Sequence, residues 1–170
     1  MIQGSASDLP AVLAGAACAF LVTLASAHFE PAQIPVTLHI YERTTQKTVA
    51  EVVEDVEFAI SERNFRVTSQ MHVGRGIRER DKIGFPDYEV ILFCNLGLAR
   101  QMLEMDPAYI NYCPGRVTVR RGGDKTYIAV TLLPEPGGQN AALATLVRDT
   151  NTQLRAMVDF GTENWARRDP

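Results

Sequence analysis

The chain has 170 residues, 46% of them hydrophobic, and a formal net charge of -3 at neutral pH. This length accommodates one domain with a sizeable core and a short appendage. The slightly negative charge, with arginines scattered along the chain, excludes strong electrostatic attraction to nucleic acid or to anionic lipid.

Residues 1–27 are predicted as an N-terminal apolar helix, because no charged residue occurs from 9 to 27. One interpretation is a signal peptide cleaved after Ala27, although the usual basic start is absent. Another is an uncleaved membrane anchor, although the segment is rich in alanine rather than leucine. Under both, the domain lies on the exported, periplasmic side, released or attached to the cytoplasmic membrane. A buried helix of a soluble domain is the third alternative.

A linker at residues 28–33 precedes one predicted α+β domain at residues 34–160, and a polar tail covers residues 161–170. Alternating apolar residues predict strands, and apolar residues at i, i+3 and i+4 predict helices. The resulting β-α-β-β-α-β-β-α order favours a two-layer sandwich, in which helices cover one face of a mostly antiparallel sheet of about five strands. The predicted elements are a strand at 34–42, a helix from 48, strands at 65–73 and 88–94, a helix at 96–105, a hairpin of 116–121 with 125–133, and a helix at 140–160.

Thr48 and Glu51 have the spacing of a capping box at the start of the first helix. Residues 74–84 are predicted as a charged loop that begins and ends with glycine and contains about one helical turn. Arginines in this segment are interpreted either as part of a solvated loop or as a docking surface for an acidic partner. They are Arg75, Arg78 and Arg80.

Cys94 ends a predicted core strand, and Cys113 precedes the next strand. In an oxidising compartment this even pair is compatible with a structural disulfide. Free thiols are an alternative, since a buried cysteine behaves as a small apolar residue. A metal or redox role is a third, and a thiol enzyme using Cys94 belongs with it. No CxxC sequence occurs, so thioredoxin-like exchange is not indicated.

Soft ligands suited to Cu(I) or haem iron also occur along the chain. Met71 and His72 point to opposite faces of their strand, so they cannot share one ion. Core packing is the alternative role for the methionines. The full soft-ligand set is Met71, His72, Met102, Met105, Cys94 and Cys113.

His39 and His72 each lie on the more polar face of a predicted strand. If those strands pair, both imidazoles face away from the helices, where they could hold a metal or haem, also across a dimer. The alternative is two solvated or hydrogen-bonded histidines. The absence of CxxCH excludes covalent c-type haem.

A pattern of spaced residues begins at Cys94 and consists of Cys94, Asn95, Ala99, Pro107, Pro114, Arg116 and Val117. In this pattern the chain resembles the domain of unknown function 302 family over residues 37–135. The resemblance implies a compact, often dimeric α/β domain and supplies no catalytic residue. Leu96 stands where the family has proline, and Gly115 where it has its second cysteine.

The sequence contains no HExxH, GxSxG or P-loop motif. We therefore expect an exported, membrane-tethered accessory or interaction domain without catalytic activity of its own, for instance a subunit of a membrane complex. Its partners would be other proteins or a second copy, and residues 9–27 would contact the membrane if uncleaved. The alternative is a periplasmic redox or haem- or copper-binding protein that uses His39, His72 or the cysteine and methionine set. No cofactor is required by the sequence.

Overall fold

The computed structural model describes residues 39–137 and 140–163. Within these ranges, no helix is long and apolar enough to cross a membrane. The predicted apolar segment at residues 9–27 and the linker lie outside them. The elements are β1 (Ile40–Thr45), α1 (Val49–Glu62), β2 (Arg66–His72), α2 (Val73–Asp81), β3 (Tyr88–Cys94), α3 (Leu96–Met105), a 3-10 helix (Pro107–Tyr112), β4 (Gly115–Gly122), β5 (Lys125–Thr131) and α4 (Ala141–Thr162).

The five strands form one antiparallel sheet in the order β1-β5-β4-β3-β2, which confirms the predicted α+β sandwich. Ile91 pairs with Val117, and Val117 pairs with Val130, so these three side chains share one face. All three are buried beneath α1 and α4. Burial of one such side chain contributes about 1.5–3 kcal/mol, so this layer contributes substantially to stability.

The predicted capping box at the start of α1 is confirmed. The Thr48 hydroxyl accepts a hydrogen bond from the Glu51 amide at 3.3 Å, and the Glu51 carboxylate accepts one from the Thr48 amide at 2.7 Å. The hydrogen bonds satisfy two amides that the helix itself leaves unpaired. The chain leaves α1 through Asn64, whose φ of 59° is a left-handed conformation that asparagine tolerates.

The charged segment at residues 74–84 contains more helix than the single turn predicted, because the nine-residue helix α2 covers most of it. Val73, which was predicted to end a strand, begins this helix. At the chain's C-terminal end, α4 continues to Thr162, so the predicted polar tail begins two residues too early. Few residues of α2 are apolar, and only Gly74 is buried, so the hydrophobic pattern carried little helical signal.

The two edge strands differ from the prediction in which side chains face the helices. In β1, Tyr41 pairs with Val130 on the helix side, and its hydroxyl donates to Asp159 of α4 at 2.8 Å. Ile40, predicted to be on the apolar face, is 55% exposed. Tyr41 therefore occupies the helix side, where its hydroxyl forms a hydrogen bond, although the apolar alternation favoured Ile40 on that side.

In β2 the pairing with β3 is irregular between Val67 and Ser69. Such a bulge reverses the alternation of the residues that follow it. Val67 lies opposite the inward-facing Phe93, whereas Met71 lies opposite Val90 on the other face. The prediction of one continuous apolar face in this strand is therefore wrong.

Candidate functional site

A pocket of about 470 Å³ lies at the end of the sheet where β3 and β5 end and β4 begins. Pockets of this volume are typical of small-molecule sites. We call it the dithiol pocket because Cys94 and Cys113 are both in its wall. Its other principal lining residues are Phe93, Leu98, Met102, Tyr109, Leu133 and Leu154 from the apolar interior, and Asn111, Pro114 and Arg116 from the exposed rim.

The two sulfur atoms of Cys94 and Cys113 are 2.8 Å apart, and both cysteines are free. Cys94 is the last residue of β3, and Cys113 follows the 3-10 helix, just before β4. Phe93 pairs with Gly115 across β3 and β4, and a Cβ at Gly115 would lie 2.8 Å from the Phe93 ring. Glycine at position 115 thus leaves room for the Phe93 ring, and the thiol beside Cys94 comes from Cys113.

Asn95 fixes the backbone immediately after Cys94. Its side-chain oxygen accepts from the Leu98 amide at 3.0 Å and caps α3. Its side-chain nitrogen donates to the carbonyl of Asn64 at 3.0 Å, which ties α3 to the end of α1. The Cys-Asn pair of the sequence pattern thus has a structural role, since the asparagine holds the cysteine at a helix start.

A buried asparagine of α4 holds the opposite wall of the pocket. The Asn151 side chain accepts from the Leu133 amide at 2.8 Å and donates to the Leu133 carbonyl at 2.9 Å. Tyr109 reaches the same segment, donating from its hydroxyl to the Pro134 carbonyl at 2.8 Å. Asn151 was not among the residues predicted for the site, although its sequence position carries a signal: it is a polar residue at the i+4 position from Val147, on the apolar face of a helix.

Burial raises the pKa of the Cys94 thiol to about 11, and the hydrogen bond with Cys113 and its charge act in the same direction. Cys94 is therefore protonated at neutral pH, and a protonated thiol is a poor nucleophile. Arg116 supplies positive charge at the rim, where its guanidinium donates to the Thr131 hydroxyl at 3.4 Å. Within residues 39–137 and 140–163, no carboxylate forms an ion pair with Arg116.

The structure brings together only part of the predicted soft-ligand set. Met102 is buried, and it lines the dithiol pocket together with both cysteines. Met105 is 37% exposed and outside the lining, and Met71 is 60% exposed on β2. In the described part of the chain, no three histidine, cysteine, aspartate or glutamate side chains are grouped closely enough to hold a metal ion.

His39 and His72 are not brought together. Their strands do not pair as the prediction required, because β1 and β2 are the opposite edges of the sheet. Four strand spacings separate these edges, a distance of about 19 Å. His72 also faces the helix side, opposite Glu89, whose carboxylate lies 2.6 Å from its Nδ1. One chain therefore cannot place both imidazoles on one ion.

The three arginines of α2 each have a carboxylate partner. Arg78 contacts Asp87 at 2.9 Å and Arg80 contacts Asp81 at 2.6 Å. Arg75 is 4.0 Å from a carboxylate one helical turn away. The helix thus presents little unneutralised positive charge. The predicted docking of an acidic partner on these arginines therefore stays a prediction, and it has little electrostatic support.

The fold and the site define a class of domain: an α+β sandwich with two cysteines beside an apolar pocket at one end of its sheet. The chain belongs to the family described as Domain of unknown function DUF302, which matches residues 41–160 and confirms the predicted resemblance.

One solved relative is the crystal structure of an uncharacterized conserved protein DUF302 from Bacillus stearothermophilus. It aligns with a TM-score of 0.60 and 21% identity, over 71% of this chain and 96% of that chain. At this identity the likeness establishes the fold alone. No curated protein matches the sequence.

Proposed function

We propose that this domain is a thiol–disulfide redox protein in which Cys94 and Cys113 alternate between a dithiol and a disulfide. The single observation that supports this is the 2.8 Å separation of their sulfur atoms. A disulfide bond is about 2.05 Å long, so the sulfurs need to approach by only about 0.8 Å. Both side chains line an accessible pocket, which gives a reaction partner a way in.

The reaction partner in this proposal is an organic disulfide. The Cys113 thiolate attacks one sulfur of the partner, the partner's S–S bond breaks, and half of the partner leaves as a thiol. Cys94 then loses its proton and attacks the Cys113 sulfur, which releases the second half as a thiol. Two electrons pass from the protein to the partner. We assign the second attack to Cys94 because its raised pKa makes it a poor first nucleophile at neutral pH.

The test is a redox titration of the Cys18→Ser variant, which leaves only the proposed pair of thiols. The protein is equilibrated in glutathione buffers of defined ratio, and the remaining thiols are alkylated and counted by mass spectrometry. We expect two thiols to disappear together and reversibly, with a mass loss of two hydrogen atoms. Removing Cys113 as well, by Cys113→Ser, should abolish this internal oxidation. Two alkylated thiols at every buffer ratio would refute the proposal.

Copper(I) is a second candidate occupant, favoured by the buried Met102 in the same pocket as the two thiols. Thiolate and thioether sulfur are ligands that Cu(I) prefers. Competition for Cu(I) with a chromophoric chelator tests this on the reduced protein. Retention of copper by the wild type and its loss in Met102→Leu would favour the metal site, whereas equal competition by both proteins would remove Met102 as a ligand.

We further propose that the domain works on the exported side of the cytoplasmic membrane as a tethered or released accessory to a protein partner. The uncharged residues 9–27 support this, and an oxidising compartment suits a cysteine pair. The sheet face opposite the main core supplies a surface, since Ile40 is exposed there. Cell fractionation with N-terminal sequencing and partner identification tests the proposal. A monomer recovered from the cytoplasm with its full N-terminus and no partner would contradict it.

A further inference from the structure

The dithiol pocket extends well beyond the two sulfur atoms, and thiol exchange alone uses little of it. Its interior is apolar, because Met102, Tyr109 and Leu154 are all at most 5% exposed and all line it. A volume of about 470 Å³ leaves space beside the cysteines for an organic molecule with an apolar chain. The interior therefore favours a hydrocarbon group of the ligand.

The rim has the opposite character. Arg116 and Thr131 are adjacent there, joined by the 3.4 Å hydrogen bond from the guanidinium to the hydroxyl. Arg116 is exposed and, among the residues that the structure describes, has no carboxylate partner. A planar guanidinium with free N–H groups matches the geometry of a carboxylate. The rim therefore favours the anionic end of the ligand.

We propose that the dithiol pocket binds an amphipathic organic carboxylate, with its hydrocarbon chain in the apolar interior and its carboxylate at Arg116. The inference rests on the site assigned to the proposed redox function, but it requires no change in the oxidation state of either cysteine. Because Cys94 and Cys113 line the same pocket, the bound molecule shields both thiols from reagents in solution.

The test is calorimetric titration with decanoate and, as a neutral reference, decanol. Arg116→Gln removes the positive charge from the rim. Arg148→Gln is the matched control, because Arg148 is exposed on α4 and does not line the pocket. We expect saturable binding of decanoate, weakened about two- to fivefold by Arg116→Gln as for an exposed ion pair. Decanol should bind the wild type and both variants equally.

A second measurement follows the alkylation rate of the thiols in the Cys18→Ser protein, which should fall as decanoate saturates the pocket. No saturable binding of decanoate, or equal loss of affinity in Arg116→Gln and Arg148→Gln, would overturn the inference. Repeating the calorimetry with Cys94→Ser and Cys113→Ser combined separates the two proposals. Decanoate binding there is expected to persist, whereas the glutathione titration is done without decanoate and tests the redox function alone.

Discussion

Cys94 is held between two residues that fix its position from opposite directions. Phe93 precedes it and is buried, with its ring edge-on to Phe65 at a centroid distance of 5.6 Å. Asn95 follows it and caps α3 while bonding to the end of α1. A core aromatic and a helix cap on adjacent residues leave the cysteine backbone little freedom. The position of Cys94 is therefore set by the core of the fold.

At the residue scale we predict that Cys94 reacts slowly with iodoacetamide at neutral pH and faster as pH rises. The thiolate is the nucleophile, and its pKa is raised to about 11, so the rate should grow about tenfold per pH unit from pH 7 to 10. That rate dependence applies with Cys113 present. In the variant with Cys18→Ser and Cys113→Ser, in which Cys94 is the only thiol, the two contributions of Cys113 are lost, but burial, the largest cause, still raises the pKa. A free cysteine derivative should reach its plateau near pH 9.5. A plateau for Cys94 at that pH would contradict the prediction.

Two glycines of α2 differ in what surrounds them, although both are in the same short helix. A Cβ at Gly74 would collide with the Pro86 carbonyl oxygen and lie 2.8 Å from the Tyr88 amide nitrogen, whereas a Cβ at Gly76 meets nothing within 4 Å. We expect Gly74→Ala to destabilise the protein by about 1–3 kcal/mol through overpacking against rigid backbone. Gly76→Ala should stabilise it by about 0.4–1 kcal/mol, because alanine restricts the unfolded chain.

Urea unfolding of the two variants beside the wild type measures both effects. Opposite shifts of the midpoint would support the close packing of α2 against the segment before β3. A Gly74→Ala midpoint at or above that of Gly76→Ala would show that this packing is not maintained in solution.

Several local elements were predictable from the sequence, whereas the largely polar helix α2 and the contacts between distant elements were not. The capping box at Thr48 and the bounds of β3 and α3 follow from near neighbours in the chain, and the structure confirms them. The sheet order, which separates His39 from His72, depends on pairing between distant segments that no local pattern encodes. The 2.8 Å contact of Cys94 with Cys113 also crosses elements, so the sequence left its three interpretations open.

For the whole molecule, we predict that oxidation of the cysteine pair raises the free energy of unfolding. The two cysteines are 19 positions apart, and closing a loop of this length is worth about 3 kcal/mol in the chain-entropy model. By the thermodynamic cycle, the folded protein then favours the disulfide over the dithiol by the same amount more than the unfolded chain does. This makes the reduction potential of the pair about 65 mV lower in the folded protein. Any strain on closing the sulfurs from 2.8 Å to bonding distance subtracts from both quantities together.

Urea unfolding of the Cys18→Ser protein in its oxidised and reduced forms measures the stability difference, and glutathione titration in the native and unfolded states measures the difference in potential. With Cys113→Ser added, oxidising and reducing conditions should give the same stability. Agreement of the two measurements at a value below 3 kcal/mol would give the strain directly, because both report the same cycle. Equal stability of the oxidised and reduced forms would contradict the prediction.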